Sequence, residues 1–192
     1  MPPAEPARAD LASAPIEIVA YDPAWPAAFA LEGRLVAQAL GPWLTGPPEH
    51  IGSTAVPDLA AKPVIDLMAP IESLAAARPA IAAAQRAGYV HYPYRPDVMH
   101  WFCKPSPAVR THHLHLVPAG SPLWRERLAF RDALRGDAAL RDEYAALKRA
   151  LALQHRDDRE AYTDAKAPFV ARVLRASGLA AGDPDATARP AR

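Results

Sequence analysis

Cysteine occurs once in the 192 residues, at Cys103. That excludes an intrachain disulfide and suits a reducing compartment. Long hydrophobic runs are missing too. No stretch approaches the roughly 18 apolar residues of a membrane span, and the first residues show no basic-then-apolar leader pattern. The expectation is a cytoplasmic chain with no membrane contact. An excess of one charge is also lacking, since 22 Lys and Arg face 21 Asp and Glu. A protein that grips a nucleic-acid backbone normally carries a clear basic surplus, so nucleic acid is not an expected partner. From Ser121 to Glu160 nine basic and eight acidic residues interleave, the pattern of solvated helix faces rather than of a charged patch.

What remains is one domain's worth of chain, since a domain takes roughly 100–200 residues. Hydrophobic residues make up 51% of the sequence, enough for a core, although much of that is Ala. Residues 1–14 and 179–192 are rich in Ala and Pro and read as disordered tails. The domain is expected over 15–178, and monomer and homodimer are both open.

Within it, Ile16–Tyr21 alternates apolar and polar residues and reads as a half-buried strand. Asp22-Pro23 breaks it and starts a helix that runs to about Leu40, where Gly41-Pro42 ends it. Glu49–Ile51 is a short strand running into Gly52-Ser53, and Lys62–Met68 is a mostly apolar run around one carboxylate, the pattern of a buried strand. An Ala-rich helix over Arg78–Ala87 follows. Tyr89–Tyr94, Val98–Lys104 and Thr111–Val117 read as strands with antiparallel connections. The last third is helical: one helix capped by Ser121-Pro122 and stopped at Gly136, a second carrying Tyr144, Leu147 and Leu151, and a third from about Asp158 to Ser177 that Pro168 kinks or restarts.

Two places can carry chemistry. A Gly-Ser pair after a strand lets the backbone turn tightly and approach phosphate oxygens, and Gly52-Ser53-Thr54 is such a turn. Twelve residues separate Ser53 from Asp66, which lies on the next strand. A carboxylate there supplies a ligand for Mg²⁺, which needs only one or two from the protein. An ordinary turn and a strand-end carboxylate have equal weight on this spacing alone.

The run HIGSTAVPDLAAKPVIDL closely resembles the signature segment of the GrpB family, which belongs to the nucleotidyltransferase-fold superfamily. Tyr21–Pro26, Arg110–Leu116 and Asp158–Lys166 resemble further segments of the same family in the same order. The resemblance spans residues 16–177. It implies an α/β (α+β) domain, a mixed sheet with helices packed on it and a helical C-terminal third. It also places Gly52, Ser53 and Asp66 at a nucleotide and metal site. Active members of the superfamily usually carry a second carboxylate two residues after the first, where this chain has Met68. Asp58 stands where the family more often shows Gly. The family also occurs attached to dephospho-coenzyme A kinases, but this sequence contains no G-x-x-x-x-G-K-[ST] loop.

The histidines are the second place. Alternation along Thr111–Val117 puts His113 and His115 on one face and His112, Leu114 and Leu116 on the other. With the leucines in the core, the His pair faces the opposite side. There the two imidazoles can replace missing carboxylates as metal ligands, contact phosphate or move protons. Imidazole suits Mn²⁺ or Zn²⁺ better than Mg²⁺. The alternative is a pair of partly exposed histidines bonded to neighbours. Within the family segments, Thr54, Lys62, Arg110 and Lys166 are the further candidates for phosphate contact, although a lone Lys166 beside an apolar stripe also fits a snorkelling side chain. Cys103 reads as a small buried residue.

The sequence thus leads to a small-molecule nucleotidyltransferase-like enzyme using a divalent metal (Mg or Mn, or Zn) and a nucleoside triphosphate, with Asp66, His113 and His115 at its centre. A nucleotide-binding module without catalysis and a metal-dependent hydrolase on the same fold are the alternatives.

Overall fold

The computed structural model describes residues 15–179, so the expected tails fall almost wholly outside the described residues. Five strands form one mixed sheet: β1 (Glu49–Ile51), β2 (Ile65–Ile71), β3 (Val90–Tyr92), β4 (His100–Pro105) and β5 (Arg110–Pro118), in the order β1-β2-β5-β4-β3. β2 and β5 are parallel, and every other neighbouring pair is antiparallel. This is the α+β arrangement expected, with its helical C-terminal part.

One face of the sheet is covered by α1 (Trp25–Leu40) and α2 (Ala80–Arg86). Ile65, Leu67, Ala69 and Ile71 of β2, Phe102 of β4, and Leu114 and Leu116 of β5 point into that layer. They meet Trp25, Val36 and Leu40 of α1 and the Ala80, Ala83 and Ala84 side of α2. The small alanines let α2 lie close on the strands. The opposite face carries Met68, Trp101, Cys103 and Val117 beside Asp66, His113 and His115. It is only partly covered, by Leu123 and its neighbours on α3 (Pro122–Gly136). α4 (Ala138–Gln154) and α6 (Ala167–Ala176) pack with α3 around Val56 and Leu59, and α5 (Arg159–Asp164) packs through Tyr162 on Leu151 and Ala152 of α4.

Local sequence explains the helix ends. Ser121 caps α3 by accepting from the Trp124 amide, and Asp137 and Asp158 cap α4 and α5 in the same way. Pro168 sits in the first turn of α6, so the expected third helix is two helices, restarted where proline is tolerated.

The expected strand at Ile16–Tyr21 is a correction. Its pairing is one isolated bridge, Val19 to Ala61. Ile16 and Ile18 pack against Leu151, Ala152 and Tyr162 of the C-terminal helices, while Val19 and Tyr21 pack on the core between the sheet and α1, so the alternation is real and serves two partners. β2 runs three residues beyond the expected end and includes Pro70. The Pro70 carbonyl accepts from Thr45, so its nitrogen points to the same side, where the β1 ladder has ended at Met68. None of the helices among the described residues is long and apolar enough to cross a membrane.

A buried acid ties the covered face together. Glu32 of α1 accepts from the Tyr89 hydroxyl at 2.8 Å and from Lys104 Nζ at 2.9 Å. Hydrogen bonds to charged groups are worth about 1.5–3 kcal/mol. Tyr89→Phe should therefore lower the unfolding free energy by about that much, read from urea denaturation with the slope unchanged. A loss under 0.5 kcal/mol, about the effect of an indifferent surface change, would mean that Lys104 alone suffices.

Candidate functional site

The parallel pair sets the centre. Asp66 lies opposite His113 and Met68 opposite His115, and residues two apart on a strand share a face. His113 Nδ1 donates to Asp66 Oδ1 at 2.8 Å, and His115 Nε2 lies 3.6 Å from the same oxygen. One donor atom from each of the three residues falls within 4.8 Å of the others. Asp66, His113 and His115 therefore converge as the sequence led us to expect.

Electrostatics fix their states. Burial lowers the pKa of His115 to about 4 against the pull of Asp66, so the ring is neutral near pH 7. Burial raises the Asp66 carboxyl, but the contacts from His113 and His115 outweigh it and hold the group well below the usual carboxylate range. His115 Nδ1 faces the Met99 sulfur at 3.4 Å. In the tautomer with the proton on Nδ1, the thioether accepts it and Nε2 offers a lone pair on the Asp66 side. The Nε2 atoms of both histidines are buried without a hydrogen-bond partner. Orphaned imidazole nitrogens converging beside an ionised carboxylate could hold a divalent ion, and their chemistry suits Mn²⁺ or Zn²⁺ better than Mg²⁺.

The Gly52-Ser53 turn lies directly against this centre. Gly52 has φ 71°, and a Cβ built there would overlap Asp66 Oδ2; both reasons demand glycine. The Ser53 side chain meets the Tyr144 hydroxyl of α4. Thr54 turns inward instead. Its buried hydroxyl donates to the Val64 carbonyl at 3.2 Å and takes a hydrogen bond from His50 Nε2 at 3.1 Å. It braces the loop into β2, so its side chain is spent on structure. Asp58 adopts φ 63° in the same loop, the left-handed region where glycine costs least.

The expected cations also gather on this side. Lys62 and Lys166 hold their ammonium groups over the Tyr162 ring, 4.9 and 4.2 Å from its centroid, and both are acted on by Asp66. The Arg110 guanidinium lies over Trp101 at 5.3 Å, and Trp101 lies 5.0 Å from the His113 ring. Sequence reasoning missed Lys148, Arg127 and Arg159. Arg127 acts on His115 and Lys166, and Arg159 acts on Lys62. Lys148 carried a legible signal: Tyr144, Lys148 and Leu151 are spaced i, i+4, i+7, which sets it on the buried stripe of α4.

The family described as GrpB protein matches residues 15–176. The chain belongs to the GrpB family. It is 39% identical over 160 residues to a protein of Deinococcus radiodurans named UPF0157 protein, covering 83% of this chain and 81% of that one. The crystal structure of the conserved protein GrpB from Enterococcus faecalis superposes with a TM-score of 0.75 at 31% identity, over 84% of this chain and 96% of that chain. A Mycolicibacterium paratuberculosis protein named dephospho-CoA kinase is 32% identical over 185 residues. The match covers 83% of this GrpB chain but 45% of the kinase.

Two outcomes test the site. Gly52→Ala should cost at least about 1–2 kcal/mol, the strain of a left-handed residue, and should also displace the Asp66 carboxylate. Chemical denaturation reads the first, and the His113 ring resonances read the second. A cost near zero with unmoved resonances would mean that the turn has slack. The lysines give a pH dependence. Burial first, then neighbouring cations, lower Lys148 and Lys166 to about 7 and Lys62 to about 8. The folded protein thus gives up these protons well before the unfolded chain, whose lysines titrate near 10.4. Over that window the unfolded state binds more protons, so stability rises with pH. The melting temperature of the ligand-free protein should climb between pH 6.5 and 9. A flat or falling profile would contradict the burial of these charges.

Proposed function

We propose that the protein holds a divalent metal at Asp66, His113 and His115 and transfers a nucleotidyl group from a nucleoside triphosphate to a small-molecule acceptor. The observation that carries this reading is the pair of buried, unpartnered Nε2 atoms beside the ionised Asp66. A bound metal would supply charge neutralisation at the phosphate oxygens. The Gly52-Ser53 turn would let the backbone approach the phosphates, with Lys62, Arg110 and Lys166 as counter-charges. An acceptor oxygen would attack the α-phosphorus, the bond to the β-phosphate would break, and pyrophosphate would leave with the electron pair. Both Nδ1 atoms carry protons, towards Asp66 and Met99, so an Nε2 not taken by the metal is the nearest group to accept the acceptor's proton. That relatives in two mycobacteria are named for a kinase, an activity on phosphate groups, agrees with a phosphate-bearing ligand.

A metal-dependent hydrolase is the second reading. Two imidazoles to one carboxylate, with Met68 in place of a second acid, also suits a metal-held water.

Thermal melts with Mn²⁺, Zn²⁺ and Mg²⁺, alone and with ATP, test both. Ligand at one hundred times its dissociation constant stabilises by about 2.7 kcal/mol, a visible shift that Asp66→Asn should abolish. Pyrophosphate release in the presence of candidate acceptors favours the transferase; release of phosphate without an acceptor favours the hydrolase. No shift with any metal removes the metal centre.

A further inference from the structure

Lys62, Lys148 and Lys166 meet where the C-terminal helices close on the segment leading into β2. Lys148 is 2% exposed; its Nζ lies 4.8 Å from the Tyr144 ring centroid and donates to the Ala60 carbonyl at 2.5 Å. An ammonium carries three N–H donors, and that carbonyl takes one. The charges acting on Lys148 are, from the largest, Lys166 at the junction of α5 and α6, Arg149 on α4 itself, and Lys62 before β2. All are cations. Asp66 and Asp164 act on Lys166, and Asp66 on Lys62, so Lys148 is the member of the cluster least offset by negative charge. Tyr144 and Tyr162 hold the ammonium groups by their ring faces, which offsets only part of the cost of drying them. The Tyr144 hydroxyl meets Ser53, so the lysine cluster adjoins the Gly52-Ser53 turn.

We propose that Lys62, Lys148 and Lys166 form a subsite for an oligophosphate chain that binds without a metal. Lys62 and Lys166 are partly exposed, and Lys148 is buried. Three cations spread over two aromatic rings match a chain of two or three phosphates better than a single anion. The inference deepens the reading above by assigning the end of the triphosphate remote from the metal centre, and it rests on that reading only for the identity of the nucleotide. Binding should draw a proton onto Lys148, because the arriving charge favours the ammonium.

The test is calorimetry on the full chain in EDTA, with phosphate, pyrophosphate, tripolyphosphate and citrate as probes. Tripolyphosphate and pyrophosphate should bind, phosphate and citrate at least tenfold more weakly. Affinity should fall from pH 6.5 to 8.5. Two buffers of different ionisation enthalpy should reveal proton uptake near pH 7. Lys148→Met should weaken tripolyphosphate at least tenfold, roughly the loss of one charged hydrogen bond, and should suppress the uptake. Lys166→Gln, at a partly exposed position, should weaken it similarly and serves if Lys148→Met fails to fold. Equal affinity in the variants, no binding of any phosphate at millimolar concentration, or binding only after Mn²⁺ is added would each overturn the proposal. A Lys148→Met variant that melts lower yet binds as wild type would do so as well, since the lysine would then merely tie α4 to Ala60. A missing metal shift in the earlier melts leaves this result untouched, so the two ideas fail separately.

Discussion

From Ile65 opposite His112 to Ile71 opposite Pro118, β2 and β5 run side by side in one parallel register, and the site hangs on that pairing. A slip of one residue would turn a strand's whole set of side chains to the other face. What prevents the slip lies on the far side of the sheet. Leu67, Leu114 and Leu116 are fully buried against α1 and α2, so moving either strand would expose them. The apolar face thus holds Asp66 next to His113 with no contact of its own to the site. Stability and chemistry share the backbone but use opposite sides of it.

The two halves of the domain contribute unlike things. Strands supply the carboxylate and the imidazoles, while the C-terminal helices and the loop before β2 supply lysines packed on tyrosine rings. A net charge of +1 over the chain conceals this local imbalance, since net charge reports on solubility and long-range attraction rather than on any one pocket. The cations also lie close enough to depress one another's protonation, so the site is most strained when it is empty and the pH is low.

Much of the centre could be read from the sequence because it depends on local rules. Two-residue alternation placed His113 and His115 together, and a Gly-Ser turn before a carboxylate-bearing strand pointed to Asp66. What could not be read depends on which surfaces meet. The alternation at Ile16–Tyr21 announced burial without saying that it would serve two partners. Thr54 looked like a phosphate contact because small hydroxyls serve there, and only the nearness of His50 and Val64 shows it turned inward. Lys148 sat within a run of mixed charge that reads as solvated, although its spacing from Tyr144 and Leu151 carried the opposite message. Arg127 and Arg159 reach the site only through tertiary packing, for which the sequence offers no pattern.

Met68 has a consequence for how such a site changes over time. It is fully buried among Ile51, Trp101, Cys103 and Val117, directly across from His115. A carboxylate arriving alone at that position would enter a dry space lined mostly by aliphatic, sulfur and ring groups, and a buried charge with too few partners is among the costliest single changes a fold can suffer. Passage between a one-acid and a two-acid centre is therefore not a matter of one substitution. It would require the surrounding apolar residues to become polar in step, so lineages of this fold should keep one ligand set or the other, with few intermediates surviving between them.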